Sequence, residues 1–257
     1  MKVATFNVNG IGARLPALLA WLAEARPDLV ALQEIKVADA RFPRAELEAQ
    51  GYHVATHGEP GRNGVALLSR MPLAGVERGL PGGSDDRQAR WIEAQVGGLR
   101  VVGLYAPNGN PAPGPRFDYK IAWMERCLAR ARALLDLEAP VILAGDFNVC
   151  PTDRDVARPE AMAEDALCRP ESRAAFRRLL AQGWTDALRA RFPQDEVYTF
   201  WDYQDGAWAR NWGLRIDHLL LSPAAADRMT DAGVDAAVRG GERPSDHVPV
   251  WVVLEDS

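Results

Sequence analysis

Several enzyme classes are excluded by what this chain lacks. It has only three cysteines, Cys127, Cys150 and Cys168. An odd number at wide spacing gives neither a disulfide framework nor a thiolate metal cluster, and it fits a reducing compartment. There is no Gly-rich loop ending in Gly-Lys-Ser/Thr, and no His-Glu-x-x-His, Cys-x-x-Cys or Gly-x-Ser-x-Gly pattern. P-loop nucleotide hydrolysis, zinc proteolysis and serine esterase chemistry therefore lose their usual residues. No apolar run is long enough for a membrane span, and Met1-Lys2-Val3 leads straight into a polar-ended strand instead of a signal-peptide core. A soluble, cytoplasmic protein is expected. Nor is there an excess of positive charge. The net charge of -5 argues mildly against a strong non-specific nucleic-acid binder, because phosphate neutralisation drives most of that affinity.

With 257 residues, 47% of them hydrophobic, the chain can bury a substantial core. The Pro/Gly-rich stretches 79–84 and 107–115 are short and read as surface loops, so one domain over 1–257 is expected. Apolar patterning predicts strands at 2–8, 29–33, 65–69, 90–96, 100–106, 141–144, 197–201, 214–221 and 248–254. Gly97-Gly98 marks a hairpin between two of them. Helical spacing of Leu15, Leu18, Leu19 and Leu22, and of Ile121, Met124, Leu128 and Leu135, predicts helices before Pro27 and over 118–135. Further helical segments are expected at 172–181 and 184–190. Mixed hairpins and strand–helix units point to an α/β sandwich with two packed sheets and helices outside. Phe6-Asn7-Val8 echoes Phe147-Asn148-Val149, weak evidence for duplication but compatible with two sheet-forming halves.

Short polar clusters close the apolar runs: Phe6-Asn7-Val8-Asn9-Gly10, Leu32-Gln33-Glu34, Gly145-Asp146-Phe147-Asn148, Arg215-Ile216-Asp217-His218 and Ser245-Asp246-His247. Such endings suggest one polar site along the edge of a buried sheet. Hard oxygens with imidazole and no thiolate suit Mg²⁺ and a phosphate ester. Taken singly, each cluster has a plainer reading. Glu34 could pair with Lys36, Asp146 and Asn148 could form a turn or helix cap, and His247 could be a structural histidine. Asp246 is poorly placed to orient His247, because neighbours in a strand point to opposite faces, so Asp217 is the better partner. His53, His57 and His218 read as structural. Arg169, Arg173, Arg177, Arg178, Arg189 and Arg191 fit a solvated helix face and a phosphate-binding rim equally well.

Asn7, Leu32-Gln33-Glu34-Ile35-Lys36, Tyr105-Ala106-Pro107-Asn108-Gly109, Gly145-Asp146-Phe147-Asn148, Tyr198-Thr199-Phe200-Trp201, Gly213-Leu214-Arg215-Ile216-Asp217-His218 and Ser245-Asp246-His247 together resemble the exonuclease III family of AP endonucleases. The ordered set spans nearly the whole chain and is far more specific than any one motif. The resemblance implies a four-layered, DNase I-like α/β sandwich with two mixed β-sheets flanked by helices. It also implies Mg²⁺- or Mn²⁺-dependent cleavage of double-stranded DNA 5′ to abasic sites, with exonuclease and phosphatase action at 3′ ends. Nothing in the sequence demands more than a monomer. Carried onto this sequence, Glu34 would be the principal metal ligand, with Asn7, Asp146, Asn148, Asp246 and His247 completing the metal site. Asp146 would orient or deprotonate the attacking water, Asn148 would bind the scissile phosphate, and Asp217-His247 would stabilise its developing charge. Tyr105 and Asn108 would reach the phosphate from the opposite loop. Phe200, Trp201, Leu214 and Ile216 would form the pocket for a flipped-out sugar without a base, whose extrusion costs less unstacking energy. Loops 108–116 and 202–212 would penetrate the duplex. A phosphomonoesterase, a lipid phosphodiesterase and a non-catalytic nucleic-acid-binding regulator are the alternatives on the same fold.

Overall fold

Alternating apolar residues in the strands are divided between two separate cores. The computed structural model describes residues 1–255. In strand β2 (Leu29–Gln33), Leu29 and Ala31 face one core while Val30 and Leu32 face another, as the two-residue period of a strand requires. The first sheet comprises β2 with β1 (Lys2–Asn7), β3 (His53–His57), β4 (Val65–Ser69), β11 (Met229–Val234) and β12 (Val250–Leu254), in the order β11-β12-β1-β2-β4-β3. The second comprises β5 (Ala74–Arg78), β6 (Trp91–Val96), β7 (Leu99–Tyr105), β8 (Val141–Asp146), β9 (Thr185–Asp186) and β10 (Asp217–Leu221), in the order β5-β6-β7-β8-β10-β9.

The inner core joins the two sheets: Val3, Leu29, Ala31 and Leu67 from the first meet Val101, Ile142, Ala144 and Leu219 from the second. Helix α1 (Ile11–Ala25) covers the outer face of the first sheet through Leu18, Trp21 and Leu22, and α2 (Arg44–Glu48) adds Leu47. The outer face of the second packs on α3 (Pro115–Leu135) and α4 (Pro170–Ala181) through Trp123, Leu128 and Phe176. Two short helices, α5 (Ala187–Arg191) and α6 (Pro223–Ala226), complete the fold. The result is the four-layered sandwich of helices, sheet, sheet and helices. Among the described residues no helix is long and apolar enough to cross a membrane.

Both sheets contain one parallel pair in the same relative place. Strands β1 and β2 enclose α1, and β7 and β8 enclose α3, because a parallel connection needs a crossover element. This topology matches β1 with β7 and β2 with β8. The Asn7 and Asn148 echoes therefore do not occupy equivalent strands.

Several elements differ from the pattern-based expectation. Segment 197–201 and residues 214–216 form isolated bridges, Phe200 to Leu214 and Phe200 to His247, so Asp217 is the first residue of its strand and not a mid-strand residue. Segment 184–190 splits into β9 and α5. Strands β3, β5 and β11 carry no clean alternation. β3 and β5 are edge strands with exposed positions, where burial does not impose a pattern.

Candidate active site

The inner-facing row of each central strand is apolar along its length and turns polar at one end. In β8 it reads Ile142, Ala144, Asp146; in β10, from the far end, Leu221, Leu219, Asp217; in β1, Val3, Thr5, Asn7. Register aligns these ends: Asp146 lies opposite Asp217 on one side and Tyr105 on the other, while Asn7 pairs with Gln33 in the facing sheet. Gly145 permits the close approach of β7. A Cβ at that position would lie 2.0 Å from the backbone oxygen of Leu104.

The polar ends meet across the sandwich. The Asn7 side-chain amide donates to Glu34 Oε1 at 2.9 Å and to Asp146 Oδ2 at 3.0 Å, and its oxygen accepts from the backbone N–H of Asn9. Asn7 therefore bridges two carboxylates at the centre of the expected metal site. Asp246 accepts from Asn9 Nδ2 at 3.0 Å and from the Ser245 hydroxyl, so it braces the site from one side. Glu34 and Asn148 both hold left-handed backbone, with φ of 50° each. Strain of this kind persists only where surrounding contacts fix it. Asn148 is fixed by its N–H on Asp146 Oδ1, its amide on the Ala106 carbonyl, and Asn108 Nδ2 on its own oxygen.

His247 Nδ1 lies 2.8 Å from Asp217 Oδ2, which also accepts from the Thr199 hydroxyl at 2.7 Å. The other imidazole nitrogen is 3.8 Å from Asp146 Oδ2. Burial opposes a charge on His247, but Asp217, with Asp146 and Asp246 behind it, raises its pKa to about 10. Burial, then the charges of Asp217 and Glu34, pushes the Asp146 carboxyl up to about 7. Burial also raises Glu34, yet Lys36 at 2.7 Å and the Asn7 amide hold it below its ordinary value. Burial and the neighbouring Glu34 and Asp146 keep the Tyr105 phenol protonated far above its usual range.

Ligand atoms of Glu34, Asp146 and His247 lie within 4.8 Å of one another. The two carboxylates supply the hard oxygens a Mg²⁺-sized cation requires. The His247 nitrogen not bonded to Asp217 faces the same space, 3.8 Å from Asp146 Oδ2. Of the other expected ligands, Asn148 bonds to Asp146 Oδ1 through its backbone N–H, and Asp246 is held by Asn9 at the side.

A cavity of about 380 Å³ opens next to the site, lined by Asn108, Met162, Leu167, Phe200, Trp212 and Leu214 among others. Phe200 packs edge-on against His247 at 4.9 Å. Of the residues expected to line a sugar pocket, Trp201 and Ile216 are not on this wall. Trp201 follows Phe200 by one residue and packs with Tyr198 and Val248 instead, while Ile216, two residues from Leu214, packs in one cluster with Leu214, Phe200 and the lining residues Val156 and Leu167. Beside Asn108 a second groove carries Arg62, Arg90 and Arg116, a local basic strip on an acidic protein. The other arginine run is largely occupied: Arg169, Arg173, Arg178, Arg189 and Arg191 pair with Glu164, Asp153, Glu125, Asp155 and Asp231.

Sequence patterning passed over Thr199, Asn9 and Lys120. The first two lie inside motifs already marked. The third is buried in α3 with no motif around it.

This fold and site define a class. Residues 4–247 match the endonuclease/exonuclease/phosphatase family, and the chain belongs to it. Exodeoxyribonuclease III of Haemophilus influenzae is 36% identical, with 98% of each chain covered. An AP endonuclease from Archaeoglobus fulgidus superposes over 100% of both chains with a TM-score of 0.96 at 36% identity. The 3′ phosphatase NExo from Neisseria, bound to a product DNA hairpin, does so with 0.97 at 40%.

Proposed function

We propose that this chain is a DNA-repair hydrolase that cuts the phosphodiester backbone 5′ to abasic sites and processes 3′ ends, with Mg²⁺ as its cofactor and Mn²⁺ able to replace it. The observation that carries this is the convergence of Glu34, Asp146, Asn148 and the Asp217-His247 pair at one end of the sandwich. The full-length similarity to exodeoxyribonuclease III and to an AP endonuclease supplies the substrate class.

Glu34 and Asp146 would hold the cation, which supplies positive charge against the phosphate oxygens. Asp146, with its pKa near neutrality, can take a proton from a water aimed at phosphorus. Asn148 has one amide hydrogen not used by Ala106, and Asn108 is tied to it; both present neutral donors to a non-bridging oxygen. Tyr105 keeps its proton and can donate as well. His247, charged and backed by Asp217, places a fixed cation where negative charge grows on phosphorus oxygens, the kind of preorganised charge that dominates phosphoryl transfer. Phe200 and Leu214 line the cavity in which a sugar without its base would fit, since the same wall would meet an attached base. Arg62, Arg90 and Arg116 offer the flanking phosphates a basic path. A single 1–257 domain, acting as a cytoplasmic monomer on double-stranded DNA, completes the proposal.

A labelled duplex with one abasic-site analogue, run beside an undamaged duplex with a recessed 3′ end, tests it. With Mg²⁺ a discrete nick at the analogue is expected, and EDTA abolishes it. A ladder on the undamaged duplex measures the accompanying exonuclease. Cleavage that survives thorough chelation removes Glu34 from its role, and no cleavage of either duplex turns the assignment toward a phosphomonoesterase or a binding module.

A further inference from the structure

Only three of the 30 basic residues are lysines, and one of them, Lys120, is wholly buried in α3. It lies on the helix stripe that packs inward with Phe117, Met124 and Cys127, where an unpaired ammonium is costly. Among the described residues it forms no ion pair. Its three N–H groups instead go to three backbone carbonyls: Asn108 at 3.0 Å, Asn148 at 2.6 Å and Ala166 at 3.0 Å. These carbonyls belong to three separate loops, after β7, after β8 and before α4. Two of them are the backbones of Asn108 and Asn148, whose side chains bond to each other at 3.1 Å. Gly109 is shaped around the same lysine. It has φ of +93°, and a Cβ there would lie 2.6 Å from Lys120 Cδ.

We propose that Lys120 is the positioning residue of the phosphate cradle: its tetrahedral ammonium ties together the loops that carry Asn108 and Asn148, and so sets where their amides point. Arginine, the chain's prevailing cation, has a planar fork that cannot serve three converging carbonyls from one atom. Asn148 also holds left-handed backbone, which needs external contacts to persist. Lys120 touches no substrate, and its effect passes through the two asparagines. This inference rests on the proposal that they bind the scissile phosphate.

The test is a double-mutant cycle on the abasic duplex with Mg²⁺, with folding followed by circular dichroism. Lys120→Met, alone, should lower kcat by about 10- to 100-fold with KM changed less than about twofold, because small misplacement of cradle groups is felt in the transition state. In the Asn108→Ala/Asn148→Ala background the same substitution should cost less than about twofold, since the groups it positions are gone. Equal losses in both backgrounds would overturn the inference while leaving the cradle in place. A wild-type rate for the Asn108→Ala/Asn148→Ala protein would instead overturn the cradle itself. If Lys120→Met does not fold, Lys120→Gln, which keeps part of the donor set, is read through the same cycle. Failure of both to fold assigns Lys120 to scaffold stability alone and overturns its positioning role.

Discussion

Asp217 and His218 are neighbours on β10, yet they serve two opposite electrostatic regions. Asp217 faces the cleft between the sheets and holds His247. His218 faces the helices, packed against Phe147 and Phe176, with Arg215 Nη1 3.1 Å from its Nδ1 and the Val149 carbonyl 2.9 Å from its Nε2. Both imidazoles are buried, at 3% and 0% exposure, so burial alone would make both neutral. Instead, three carboxylates around His247 overcome burial and raise it to about 10, while burial, reinforced by the Arg215 charge, lowers His218 to about 4. The difference lies in the partners. In the cleft the carboxylates outnumber the cations, and the imbalance is what a phosphate's metal and a charged imidazole can answer. Behind the sheet, Arg215 is closed between Asp155 at 2.6 Å and Asp186 at 2.7 Å, and nothing is left over for a ligand.

That contrast can be broken most visibly in the cleft. Asp146→Asn and His247→Ala should each lower turnover on the abasic duplex by roughly 10³-fold, within the range of general acid–base and electrostatic terms, with folding and much of the DNA binding retained. Near-wild-type rates in either variant would deny the cleft its special charge balance. Behind the sheet the expected effect moves from rate to stability. Arg215→Met strands the buried Asp186 and leaves Asp155 with Arg189 alone, and should cost about 3–5 kcal/mol of unfolding free energy, with kcat per folded molecule within about twofold of wild type. A variant that melts normally but cuts slowly would show that the two regions are not separate.

The smallest effect sharpens the comparison through pH. His218 titrates at 6.5 when unfolded and at about 4 when folded. The unfolded chain therefore binds the extra proton in that window, and stability falls as pH drops from about 6.5 toward 4, by about 3 kcal/mol at most. Asp155, with burial outweighed by Arg215 and held at about 2, adds its own loss only below its ordinary 3.8. Asp146, at about 7 against an ordinary 3.8, contributes the opposite slope over the same window. The test is therefore the difference between wild type and His218→Phe: as pH falls from 6.5 to 4, the variant should gain melting temperature relative to wild type, with the lower window unchanged. An unchanged slope would remove His218 as its source.

Most of the site was legible in the sequence because each member borders an apolar run: Asn7, Asp146 and Asp217 mark the point where an inner-facing row turns polar, and Glu34 follows directly on β2. The central strands were legible for the same reason. The edge strands β3 and β5 were not, since half-exposed positions tolerate any residue. Lys120 escaped because a pattern built on apolar residues skips a charged one, and its three acceptors are backbone oxygens with no sequence identity. The orientation of Asn7 was equally hidden. Its amide N–H groups reach two carboxylates from different elements, a convergence set by the packing of the two sheets. Trp201 was expected in the sugar pocket with Phe200, and one step along an extended chain turned it toward Tyr198 and Val248; Ile216, two steps from Leu214, stays in the cluster behind the pocket wall.

The Ser245 hydroxyl reaches the Asn7 carbonyl across 238 positions of chain, at 2.7 Å, and His247 follows two residues later, just before β12 inserts between β11 and β1. A ribosome making this protein releases Glu34 and Asp146 long before it adds the imidazole that completes their charge pattern. Domains generally fold as units, and β1 pairs with β12, so the first sheet closes only after both have been made. The charge pattern of the cleft is thus complete only when the segment just before β12 has joined residues laid down at the other end of the chain.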